Sequence, residues 1–193
     1  MPILGYNGAF TGFLDMKNNT SRGHYDPDQR ALMGNPVPAM HVLDAWIYCQ
    51  GPVAGISTGT VFVGLYEASN ASAAAWPLVG WSASRVFNLG DPAAWYSFSW
   101  PGAGSPAYFP AGQYMLGYLA NGIDDEWTLR SHYTTYAGTD WHWNILATPG
   151  ALNNPLGVCT ATNQIYLVYI NYEEDERAPF PRPLGCCCCD PNC

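Results

Sequence analysis

Basic residues are nearly missing from this chain: Lys and Arg together number seven against fifteen acidic residues, Lys17 is the only lysine, and the formal net charge is −8. Affinity for a phosphate backbone comes largely from Lys and Arg displacing counterions, so nucleic acid and anionic membrane surfaces are excluded as principal partners. Long hydrophobic runs are also missing. None approaches the roughly 20 residues of a spanning helix, and no membrane insertion is expected. The opening Met1-Pro2-Ile3-Leu4-Gly5-Tyr6-Asn7-Gly8 has neither the basic nor the apolar region of a secretory signal. If Met1 is the true start, release by lysis or another export route is the expectation. Helical periodicity is absent as well: 16 prolines and 20 glycines interrupt almost every stretch long enough for three turns, removing backbone donors or lowering helix propensity.

What is present is apolar and aromatic. Hydrophobic residues make up 48% and aromatic residues 15% of 193 positions, with 11% charged, enough for one large domain with a core of its own. Short runs rich in Val, Ile, Tyr, Trp and Phe alternate with Gly, Pro, Asn and Asp clusters, the pattern of strands and turns. They fall at Ile3 to Phe13, His41 to Gln50, Thr60 to Glu67, Leu78 to Asn88, Trp95 to Trp100, Gln113 to Ala120, Trp127 to Tyr136 and Gln164 to Tyr172. In His41 to Gln50, period-2 alternation places Val42, Asp44, Trp46 and Tyr48 on one face and Leu43, Ala45, Ile47 and Cys49 on the other. The fold expected is all-β, a two-sheet antiparallel sandwich of about eight strands. Residues 1–14 read as an N-terminal strand, 15–39 as a long loop, 40–172 as the sandwich body and 173–193 as an acidic, Pro-rich and Cys-rich tail.

Few residues suit catalysis. The serines beside His24, His41, His132 and His142 follow no nucleophile-elbow spacing such as G-x-S-x-G, and Asp124, Asp125, Glu126 and Asp140 read as solvated acids rather than a glycosidase pair. No enzyme is expected and no cofactor beyond a possible calcium ion, for which Asp26, Asp28, Asp124 and Asp125 offer hard oxygen ligands. The cysteines are Cys49, Cys159, Cys186, Cys187, Cys188, Cys189 and Cys193. Neighbouring side chains in an extended chain point opposite ways, which disfavours one tetrahedral metal site in the tail. Disulfides, within or between chains, are the expected use and suggest an extracellular home. The alternative for Cys49 and Cys159 is a reduced, buried thiol. Trp141 and Trp143 alternate in a turn-rich segment and are candidates for stacking on a sugar ring. Asn18, Asn19 and Asn70 open N-x-Ser/Thr sequons, candidates for glycosylation.

The strand VFVGLYE, then WPLVGWSAS, WYSFSW, YFPAGQYMLGYLANG and the closing QIYLVYINY resemble jelly-roll β-sandwich domains of phage appendages and bacterial surface or extracellular fibre proteins. The resemblance covers roughly Val42 to Tyr172. It implies either of two uses known among relatives of the fold: carbohydrate binding, or fibres in which one protomer's N-terminal strand completes its neighbour's sandwich. Ile3, Leu4, Tyr6, Ala9, Phe10 and Phe13 form an apolar, uncharged first strand suited to such donation, or equally to pairing within its own domain. The leading expectation is a structural subunit of an extracellular, pilus-like filament or virion appendage, a homo-oligomer built by strand exchange. The alternative is a glycan-binding module using exposed tryptophans.

Overall fold

The computed structural model describes residues 1–17, 20–25, 37–54, 58–68, 76–122, 128–135, 142–146, 154, 159–162 and 164–175. Among them fifteen strands follow in chain order: β1 (Ile3–Gly5), β2 (Gly12–Lys17), β3 (Thr20–Tyr25), β4 (Met40–Ala54), β5 (Gly59–Glu67), β6 (Leu78–Trp81), β7 (Arg85–Phe87), β8 (Ala94–Ser99), β9 (Tyr108–Phe109), β10 (Tyr114–Gly122), β11 (Thr128–Thr135), β12 (His142–Leu146), β13 (Cys159–Thr162), β14 (Gln164–Tyr166) and β15 (Val168–Glu174). No helix long and apolar enough to cross a membrane occurs among the described residues.

The strands form two antiparallel sheets. An eight-stranded sheet runs β1-β15-β4-β11-β14, with β2 paired to β11 and both β8 and β9 paired to β4. A seven-stranded sheet runs β13-β12-β3-β10-β5-β6, with β7 paired to β5. Alternation turns one set of side chains from each sheet inward. Ala45, Ile47, Val168 and Ile170 of the first meet Val61, Val63, Leu65, Leu116 and Tyr118 of the second, each no more than 1% exposed, in one core cluster. Burying a side chain of this size contributes about 1.5–3 kcal/mol. The Tyr118 hydroxyl, buried among them, bonds the Ser131 hydroxyl of the opposite sheet, as a buried polar group requires. The chain is thus the two-sheet antiparallel sandwich its alternation predicts.

Fifteen strands replace the expected eight or so because turns split several of the expected segments, and because others carry too little apolar pattern to be seen. Ile3 to Phe13 is two strands, not one. Gly5 ends the first with φ +116°, a backbone region that L side chains rarely enter; a Cβ there would lie 2.3 Å from the Val168 carbonyl oxygen. Residues 15–39 are not simply a loop. They hold the end of β2 and all of β3, whose sequence TSRGHY lacks alternation yet pairs with β10 on one side and β12 on the other. Leu78 to Asn88 is divided at Ser82, which bonds Val63 through both its backbone N–H and its hydroxyl. Gln164 to Tyr172 is divided at Leu167, which donates to the His132 carbonyl of β11 and accepts from Tyr48 N–H of β4.

The first strand pairs with β15, the last of the described strands. Ile3 faces Asn171, Leu4 faces Ile170 and Gly5 faces Tyr169. Of the two arrangements left open by the sequence, this is the internal one.

Candidate functional site

The outward face of the eight-stranded sheet is aromatic. On β4, Ala45, Ile47 and Cys49 point into the core, which leaves Asp44, Trp46, Tyr48 and Gln50 on the solvent side. The expected grouping of Val42 with them is corrected: Asn171 pairs with Asp44 but Tyr172 with Val42. One extra residue, Leu43, therefore interrupts the alternation as a β-bulge and returns Val42 to the core at 1% exposure.

Register brings further outward side chains beside these. Opposite Asp44, Trp46 and Tyr48 stand Ser99, Ser97 and Trp95 of β8. On the other flank Asn171 and Tyr169 of β15 pair with Asp44 and Trp46. Farther along, Arg130 of β11 pairs with Gln50, and His132 of β11 pairs with Phe13 of β2. The turn Asn88–Asp91 leads into β8; Asp91 N–H bonds the Asn88 carbonyl at 3.1 Å, and Gly90 takes φ +86°, the position at which a type II turn needs glycine. Asp91 in turn accepts from Gly51 N–H at 3.0 Å, tying the approach to β8 to β4.

The rings form one connected row. Trp46 and Tyr169 lie parallel within 5° at 6.2 Å, and Trp95 meets Tyr169 edge-on at 5.1 Å. Tyr48 meets Trp95 edge-on at 5.5 Å and His132 at 4.9 Å. Phe10 stacks on Tyr48 at 5.3 Å and touches His132 at 4.7 Å. Phe13 follows, with the Arg130 guanidinium 4.0 Å over its ring, a cation–π contact. At the opposite end of the same face His41 stacks on Tyr108 at 4.3 Å.

Polar groups fix the row and furnish it with hydrogen-bonding capacity. One oxygen of Asp44 accepts from Trp46 Nε1 at 2.9 Å and from Asn171 Nδ2 at 2.6 Å, so the indole is locked in plane. The Tyr169 hydroxyl is held above the ordinary tyrosine range by burial and by the Asp44 charge, and remains a proton donor. His132 is 5% exposed and its Nδ1 has no hydrogen-bond partner among the described residues. Burial, and then the Arg130 charge, push its pKa down, which keeps the ring neutral.

Trp141, Asn18, Asn19, Asn70, Asp26, Asp28, Asp124, Asp125, Cys186, Cys187, Cys188, Cys189 and Cys193 lie outside the described residues. Trp143 sits on β12 opposite Gly23 and Ala161, and Cys159 on β13 opposite Ile145. Cys49 is a free thiol, fully buried, and burial raises its pKa far above the ordinary range; it takes the reduced, core-packing alternative. No group of three His, Cys, Asp or Glu placed for a metal ion occurs among the described residues. Of the first-strand candidates, Leu4 enters the core at 2% exposure, whereas Phe10 and Phe13 are 46% and 51% exposed and join the aromatic row. Sequence reasoning put Trp46 and Tyr48 on one face but missed the row. Its partners Trp95, His132 and Tyr169 come from three other strands, and pairing register is not written in any one of them.

No family model, curated protein or solved structure matches this chain.

Proposed function

We propose that the chain is a non-catalytic carbohydrate-binding module that recognises glycans with the outward face of its eight-stranded sheet. The observation that carries this reading is the pinned pair of Trp46 and Tyr169, parallel within 5°, beside a carboxylate that holds the indole in place. A sugar ring offers an apolar C–H face for such a surface and hydroxyls at its rim. Asp44, Asn171, Ser97 and Ser99 stand within the same tiers of the sheet to meet those hydroxyls. Rigid aromatic side chains with fixed polar neighbours lose little entropy on binding. An extracellular or virion-surface location suits such a module, and the net charge of −8 favours neutral glycans.

Affinity electrophoresis through soluble glucan, xylan, mannan and chitin derivatives tests the reading. Retardation by at least one polysaccharide is expected, with Trp46→Ala weakening it tenfold or more, about 1.4 kcal/mol, in a variant whose circular dichroism shows the fold retained. A chain retarded by none of them, or a Trp46→Ala variant that binds as well, overturns it.

A second reading, assembly by exchange of the first strand, is favoured by one observation. β1 is three residues long at a sheet edge, and the segment from Asn7 to Thr11 that follows it is exposed. A neighbour's β1 in the same register against β15 would make a filament or a swapped oligomer without any new contact.

A further inference from the structure

We infer that Phe10 closes one end of the aromatic row and so fixes the length of saccharide the face takes, an inference that rests on the glycan-binding reading above. Tyr48 is the branch point. Its ring meets Trp95 edge-on on one side, and its face is covered by Phe10, 5.3 Å away and within 26° of parallel. The same Phe10 ring also sits 4.7 Å from His132, the next member of the row. Trp46, Tyr169 and Trp95 remain half-exposed on the other side of Tyr48, while the positions past Tyr48 are occupied by a side chain of the protein itself.

The way Phe10 is held makes it a stop rather than a scaffold. Its segment is tied to the sheet at its ends, by Tyr6 N–H to the Val168 carbonyl and Thr11 N–H to the Tyr133 carbonyl, each at 2.9 Å. Between them Asn7, Gly8, Ala9 and Phe10 are exposed, and the bond within the segment is Tyr6 Oη to the Ala9 carbonyl at 3.3 Å. Phe10 thus rests on the row by ring contacts and contributes nothing to the core. A saccharide lying along Trp46, Tyr169 and Trp95 ends against it, which selects a chain end or a short oligomer over an internal stretch running on toward His132 and Arg130.

The test is a length series. Wild type, Phe10→Ala and Phe10→Leu are titrated calorimetrically with graded glucan, xylan, mannan and chitin oligosaccharides. For the series that binds, wild-type affinity should stop rising at a short length. In both variants it should go on rising, with longer oligomers gaining threefold or more over the shortest. The same length dependence in all three proteins, or weaker binding by the variants at every length, overturns the inference and leaves the glycan reading standing. Absence of binding to every series sinks that reading and this one together. Circular dichroism of the variants confirms the fold, as expected for a residue 46% exposed.

Discussion

At Asp44 a single carboxylate oxygen serves two neighbours, Trp46 Nε1 and Asn171 Nδ2, and hydrogen bonds to a charged acceptor are the stronger kind. That bond turns an indole on a strand into a fixed surface. His132 shows the opposite case, a buried ring whose Nδ1 has no partner among the described residues and which desolvation keeps neutral. The unfolded chain binds a proton near the ordinary histidine pKa of about 6.5, and the folded chain only below that value. The unfolded state therefore holds more protons across the interval, and stability falls as pH drops through about 6.5 toward the lower folded pKa. Nuclear magnetic resonance titration of the histidine rings should find His132 below the ordinary value, with a melting temperature lower at pH 5 than at pH 7. A His132 that titrates at or above the ordinary value contradicts the packing described for Phe10 and Tyr48.

Among elements, the strands with clean alternation were legible and the others were not. β4, β5, β10 and β15 announce themselves through Ile47, Val61, Val63, Leu65, Leu116 and Ile170, residues that all lie in the core. β3, with Ser21, Arg22, Gly23 and His24, carries no such pattern, and partners on both flanks hold it in the sheet. The bulge at Leu43 is a further limit: one inserted residue reverses which side chains face the core, and nothing in HVLDAW distinguishes it. At β1 the deciding feature is Gly5, where a Cβ would press on Val168 and Tyr169 backbone. Gly5→Ala should cost on the order of 1–3 kcal/mol and expose the edge of β15, read as faster amide exchange at Ile170 and Tyr172. Under the exchange reading the same substitution should also break apart any oligomer seen by size-exclusion chromatography. Unchanged exchange at β15 would show that the glycine is not required there.

For the molecule as a whole, fold class followed from composition and turn spacing because a sandwich needs little more than alternating strands and enough apolar surface. The candidate site did not follow. Trp141 and Trp143 drew attention as neighbours in sequence, whereas Trp46, Tyr48, Trp95, His132 and Tyr169 are gathered by pairing across β4, β8, β11 and β15. Low charge and high aromatic content have a physical outlet in this arrangement: one face of each sheet builds the core, and the outward face of the larger sheet offers rings with polar neighbours. The most direct measurement follows the indole N–H resonances of Trp46 and Trp95 while an oligosaccharide that retards the chain is added. The account predicts saturable shifts at Trp46 and Trp95, abolished in Asp44→Ala at Trp46; shifts confined to other tryptophans, or none from any glycan, would contradict it.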